Sequence, residues 1–208
     1  MCIKEMETQK YRFFTPNMDE EAMIMLRRET LLRTAIENDE LSLNYQPVVD
    51  GQTGAMVGAE ALIRWNNPEL GFVPPDAFIP LAETTGLIVP IGEWVLETAC
   101  RQAVQWQTEG STPFTMAVNV SSRQFEGTKI VETIGRILGE TGLSASCLEI
   151  EITERILIHD TALATIVLNE INSMGVSISI DDFGTGYSAL SYLKQFPFDT
   201  LKVDRSFI

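Results

Sequence analysis

The sequence predicts an α/β fold in which a mostly parallel sheet collects polar groups at one mouth, as a barrel does. Three observations predict it. Short β-rich runs alternate with helical patterns along nearly the whole chain, the mark of repeated β-then-α units. Gly and Pro punctuate the joins, at Gly51, Gly54, Pro74, Pro75, Gly86, Gly110, Gly142 and Gly175. The strand candidates each carry an apolar and a polar face, whereas parallel strands covered on both sides read as continuous apolar runs.

In chain order, residues 1–18 are of mixed polarity, and Pro16 and Asp19 mark a helix start. From 19 to 38, Met23, Leu26, Leu31, Leu32, Ala35 and Ile36 recur at helical spacing among Glu and Arg, which predicts a helix, either on the surface or, as the favoured reading, connecting two domains. Strands are expected over 41–50, 56–65, 114–121, 147–153, 176–183 and 200–204, six in all. Helices are expected over 76–83, 91–109, 128–141, 160–174 and 187–195.

Side chains alternate across a strand, so parity assigns faces. One face reads Ala59, Ala61, Ile63; Val118, Val120; Ile150, Ile152; Ile178, Ile180; Leu201, Val203, and is expected to pack beneath the helices. The other carries Glu60 and Arg64, Asn119 and Ser121, Glu149 and Glu151, Ser177, Ser179 and Asp181, then Lys202 and Asp204. In a barrel, the C-terminal strand ends bring such groups together at one mouth.

Glu60, Asn119, Glu151 and Asp181 offer oxygen alone, a donor set for hard divalent cations such as Mg²⁺, Mn²⁺ or Ca²⁺. Asp182, expected just beyond its strand, adds a carboxylate for a second ion. Paired ions about 3.5–4 Å apart are a recurrent solution for phosphoester hydrolysis. Lys202 is placed to orient a water or neutralise phosphate, with Glu149 as an alternative ion-pair partner. Arg64 is placed to hold a phosphate oxygen bidentately.

Other chemistries are excluded. The triplet Asp182-Phe183-Gly184 lacks the accompanying HRD and VAIK segments of a kinase, and GTGYS lacks the Walker spacing and lysine. His159 is the single histidine, which argues against zinc and against histidine acid–base catalysis. A net charge of −14 opposes a general DNA, RNA or anionic-membrane surface, although a bound cation can reverse the local sign. Cys2, Cys100 and Cys147 form no CxxC pair, so a reducing cytoplasm is the expected compartment. No stretch resembles a signal peptide or a membrane span of about 18 apolar residues. The parent protein remains free to be anchored elsewhere.

Glu60-Ala61-Leu62 followed by Arg64, with YQPVV at 45–49, NVSSRQF at 119–125, EITE at 151–154, DDFGTGYSAL at 181–190 and LKVDRSFI at 201–208, resembles the EAL-domain family of cyclic-di-GMP phosphodiesterases. The resemblance implies a TIM-like (β/α)8 barrel whose first strand is antiparallel, and opening of cyclic-di-GMP to pGpG with two ions of Mg²⁺ or Mn²⁺. It implies Glu60, Asn119, Glu151, Asp181 and Asp182 as metal ligands and Lys202 beside the attacking water. Arg64 and Gln46 match substrate contacts, and Glu154 matches the residue that steadies the DDFGTG loop, which links dimer contacts to the metals.

The chain stops at Ile208, after the sixth strand. A barrel of this kind runs to about 250 residues in eight strands, and the family's EGVE-like glutamate and QGY-like strand would follow. The expectation is therefore an incomplete EAL domain over 39–208, truncated after that strand and inactive or nearly so alone. Residues 1–18 resemble the end of a GGDEF-type diguanylate cyclase domain, which makes a longer signalling protein and a homodimer the expected context. The alternative function is a module that binds cyclic-di-GMP or a protein partner without hydrolysis.

Overall fold

The computed structural model describes residues 16–110, 114–126, 128–184 and 196–203, with the side chains of 16–22, Arg155, Ile158, His159 and Asp182 left out. Residues 1–15, the expected helix over 187–195, and 204–208 with Asp204 lie outside the described residues.

The chain opens with α1 (Pro16–Leu32), proline occupying a first helical position where its missing N–H costs nothing. The expected helix to residue 38 ends earlier: residues 33–39 form turns, and Asp39 takes a left-handed φ of 54°. Leu32 and Ala35 are fully buried in the core, while Met23, Ile24, Met25 and Leu26 are exposed. An antiparallel pair follows, β1 (Leu41–Val49) and β2 (Met56–Asn67), in register Gln46↔Glu60. Glu40 secures its start: Trp65 Nε1 and Asn67 Nδ2 both donate to Glu40 Oε2, at 3.0 and 2.8 Å.

A short strand absent from the sequence expectation, β3 (Gly71–Val73), folds back on Trp65–Asn67. Three residues are too few to show an alternation. Then come α2 (Pro75–Thr85), α3 (Ile88–Thr108), β4 (Thr115–Asn119), α4 (Lys129–Thr141), β5 (Leu148–Thr153), α5 (Glu154–His159), α6 (Thr161–Ser173), β6 (Ser177–Phe183) and β7 (Thr200–Val203). Helices α2 and α4 stop at Gly86 and Gly142, whose φ of 81° and 75° a Cβ would strain. Helix α5 was not expected, because its six residues follow β5 without any break signal.

The sheet runs β1-β2-β4-β5-β6-β7, with β3 on the far end of β2. Only the β1–β2 and β2–β3 pairs are antiparallel. The six expected strands and the antiparallel first strand are thus present, in a sheet that is not closed among the described residues. It is nevertheless curled. Strands β2 and β7 stand four places apart, which in a flat sheet would separate them by about 19 Å. Lys202 Nζ of β7 lies 3.1 Å from Glu60 Oε2 of β2.

The core lies between the helices and the outer face of the sheet. Ala59, Ala61, Val118, Val120, Ile150, Ile152, Ile178 and Ile180 are all buried there, as parity predicts. On the same face Ile63 and Leu201 are half-buried and Val203 is 54% exposed. Trp65 is buried edge-on against Phe78, and Trp94 and Trp106 are partly buried against the same core. Cys100 and Cys147 are buried and unpaired, and burial pushes the Cys100 thiol up to about 12. Among the described residues, no helix is long and apolar enough to cross a membrane.

Candidate active site

Backbone register brings the polar face to one place. Glu60 pairs with Ala117, two residues before Asn119; Asn119 pairs with Glu151; Glu151 pairs with Ser179, two before Asp181. Steps of two keep these residues on the same face. Ile180 then pairs with Leu201, next to Lys202.

The side chains meet. Asn119 Nδ2 donates to Glu60 Oε1 at 2.8 Å, and Lys202 Nζ donates to Glu60 Oε2 at 3.1 Å. Lys202 also forms an ion pair with Glu151 Oε1, so Glu149 is not its partner. Glu151 is 1% exposed, and its Oε2 is buried with no hydrogen-bond partner among the described residues.

Burial, the strongest influence, pushes the Glu151 carboxyl up to about 7; Lys202 opposes this, while Glu60 and Asp181 add to it. Burial alone would lower Lys202, but the Glu151 and Glu60 carboxylates outweigh it and hold the ammonium above its ordinary range. Among the described residues, one cation, Lys202, thus stands among three carboxylates, Glu60, Glu151 and Asp181, and the surplus is negative. An unpartnered buried carboxylate oxygen beside an all-oxygen donor set fits a hard divalent cation. Among the described residues, no three His, Cys, Asp or Glu side chains form a group that could hold a metal ion.

Strand β6 contains the feature that the paired aspartates require. Its register on β7 passes from Ile180↔Leu201 to Phe183↔Val203, so Asp181 and Asp182 together oppose Lys202 alone. This is a bulge, which interrupts the regular alternation of side chains and re-aims them. Asp182 thus lies within β6 and not beyond its end, because the bulge extends pairing to Phe183. Its side chain lies outside the described residues.

The other expected residues surround this centre. Arg64 donates from Nη1 to Ile63 O at 2.8 Å and lines, with Asn119, Thr153 and Gln124, a mainly apolar cavity of about 260 Å³. Gln46 is exposed and sits opposite Glu60 in the β1–β2 pair. Glu154, 3% exposed, begins α5 directly after β5.

Gln124 was not singled out. It is 8% exposed, and its Oε1 accepts the Ser121 N–H at 3.0 Å, fixing the turn that leaves Asn119. The spacing Ser121-x-x-Gln124, that of a capping box, is the signal that would have found it.

This polar mouth on a curled, mostly parallel sheet defines a class of α/β domains akin to TIM-type barrels, and comparison with known proteins gives the family. The chain belongs to the EAL domain family, whose model matches residues 29–208. It is 44% identical over 205 residues to the bifunctional diguanylate cyclase/cyclic di-GMP phosphodiesterase MucR of Pseudomonas aeruginosa, covering 99% of this chain and 30% of that protein. To the cyclic di-GMP phosphodiesterase PdeR of Escherichia coli it is 39% identical, covering 99% and 31%. The solved c-di-GMP complex of the PaMucR phosphodiesterase superposes with a TM-score of 0.83 at 46% identity, over 87% of this chain and 73% of that one. The chain thus spans about a third of these curated relatives' length.

Proposed function

We propose that this chain is the catalytic domain of a cyclic-di-GMP phosphodiesterase, opening the cyclic dinucleotide to pGpG with Mg²⁺ or Mn²⁺ bound at the mouth of the sheet. Family membership and the activities for which MucR and PdeR are named support the substrate. The observation that carries the chemistry is the placing of Lys202 between Glu60 and Glu151, with Asn119 bonded to Glu60.

In this reading Glu60, Asn119, Glu151, Asp181 and Asp182 hold the cations. Such ions, when bound, stabilise the attacking and leaving oxygens and supply hydroxide near neutral pH. Lys202 stays protonated at neutral pH because two carboxylates face it, so it donates and does not act as a base. It orients the water and offsets phosphate charge. A guanidinium has five donors, so the single bond from Arg64 to Ile63 leaves capacity for a phosphate oxygen. Gln46, across from Glu60, contacts substrate at the rim. Glu154 steadies the segment that follows Asp182. A preceding diguanylate cyclase domain, in line with the bifunctional activity for which MucR is named, a homodimer, and a cytoplasmic site of action complete the reading.

The test is incubation of the full-length protein with cyclic-di-GMP and Mg²⁺ or Mn²⁺, with pGpG followed by chromatography. Metal-dependent product, lost on chelation and in Glu60→Gln, is expected. Tight nucleotide binding without turnover at saturating metal would make the chain a binding module instead.

A further inference from the structure

The register of β7 on β6 decides whether Lys202 reaches the carboxylates at all. Among the described residues, β7 covers Thr200–Val203 and pairs with β6, its ladder broken by the bulge opposite Lys202. A slip of one residue would turn Lys202 to the other face and put Leu201 or Val203 between Glu60 and Glu151. A ladder interrupted at this point holds its register less firmly than an unbroken one.

The residue just before β7 supplies what the ladder lacks. The Asp199 backbone N–H donates to Ile178 O at 2.8 Å, and Asp199 Oδ2 accepts the Ile178 N–H at 2.9 Å. One residue thus satisfies both backbone groups of Ile178. Upstream, Pro197 has no N–H and the Phe198 N–H is turned to Phe196 O, so among the described residues after β6, Asp199 is where the returning chain first bonds to it. Its anchor does not move easily: Ile178 is fully buried and paired on its other side with Ile150 of β5. The next pairs, Ser179↔Thr200 and Ile180↔Leu201, follow in step and deliver Lys202 to Glu60 and Glu151.

We propose that Asp199 is a positioning residue for Lys202: its two-bonded clamp on Ile178 fixes the β6–β7 register that sets the ammonium between Glu60 and Glu151. A carboxylate that merely capped the turn would stabilise the segment locally and leave Lys202 where it is. The clamp needs an acceptor oxygen at one reach from the backbone and does not need charge. Only the activity readout of the test rests on the phosphodiesterase reading.

Three variants of the full-length protein separate these roles. Asp199→Asn keeps an oxygen at the same reach without charge, Asp199→Glu keeps charge but moves the carboxylate by one methylene, and Asp199→Ala removes both. Lys202 accessibility is read by mass spectrometry after brief amine acylation, at a temperature where circular dichroism shows each variant folded. Loss of one charge-assisted bond should speed Lys202 labelling about tenfold in the Ala and Glu variants, and leave Asn within about twofold of the parent. In parallel, kcat should fall for Ala and Glu with KM unchanged, and Asn should retain most of it. Should the Ala variant not fold, the ranking of Asn above Glu still decides. Glu matching the parent while Asn fails, or labelling unchanged in all three while Tm falls, would overturn the proposal. A parent protein with no turnover would count against the phosphodiesterase reading, and the labelling order would still judge Asp199.

Discussion

Glu151 is sealed on the inner face of β5, and its ion-pair partner, Lys202, comes from β7, two strands away. Removing one member of a buried pair leaves the other charged and unsatisfied, which costs about 3–5 kcal/mol. Lys202→Met should therefore destabilise the protein by about 3 kcal/mol at pH 7.5, the lower end because Glu151 can take up a proton instead. Urea unfolding measures this. Turnover of cyclic-di-GMP should fall by about 10²-fold or more, as for loss of a group that handles the reacting water.

Asn119 contributes a neutral donor where a carboxylate would clash. Its Nδ2 lies 2.8 Å from Glu60 Oε1, so Asn119→Asp would set two carboxylates at hydrogen-bond distance. Like charges this close at a partly exposed site cost on the order of 1 kcal/mol. With chelator present, the melting temperature of Asn119→Asp should drop by about 4 °C or less. Added Mg²⁺ should recover more stability in Asn119→Asp than in the parent, because a cation relieves the repulsion. Equal Mg²⁺ shifts in both proteins would remove Asn119 from the cation site.

Much of this centre was legible in the sequence because parity is a local property. Glu60, Asn119, Glu151, Asp181 and Lys202 could be assigned to one face by counting alternate residues, and the curled sheet brings Glu60, Asn119, Glu151 and Lys202 into contact. What could not be read depends on partners distant in sequence. The bulge at Asp181–Asp182 exists only relative to β7, so one strand read by itself does not show it. Lys202 meets Glu151 and not Glu149 because register sets Glu151 level with Ser179 and Thr200, and it meets Glu60 through sheet curl; no single strand encodes either. Strand β3 and helix α5 were too short to show a period.

Gly92 in α3 should reverse the usual effect of glycine replacement. Alanine in a helix is ordinarily favoured over glycine by about 0.5–1 kcal/mol. A Cβ at Gly92, however, would come within 2.1 Å of Gln124 Nε2 and 2.6 Å of its Cδ, and that buried amide holds the Ser121 N–H. Gly92→Ala should therefore destabilise by about 1–3 kcal/mol through overpacking. In a Gln124→Ala background the clash is gone, and Gly92→Ala should be neutral or stabilising. A double-mutant cycle by chemical unfolding reads the coupling directly; additivity of the two changes would show that Gln124 does not occupy this space in solution.

Stability should depend on pH in the direction opposite to that of an ordinary salt-bridged acid, and a divalent cation should abolish that dependence. The Glu151 pKa stands at about 7 in the folded protein against 4.5 for the unperturbed side chain. Between these values the folded state keeps a proton that the unfolded chain has released, so stability falls as pH rises from about 4.5 to about 7 and levels off above. The full effect is on the order of 2–3 kcal/mol. Lys202 does not disturb this window, since its raised pKa adds stability that is lost only as pH rises past its ordinary 10.5. Mg²⁺ or Mn²⁺ would compete with the proton for Glu151, and its stabilising effect should grow across the same range. Urea midpoints at pH 5, 6 and 7.5 should therefore decline with chelator and stay level or rise with saturating Mg²⁺. Glu151→Gln, which cannot ionise, should lose most of both dependences. Parallel curves with and without the cation would mean that Glu151 takes its charge from Lys202 alone and holds no metal.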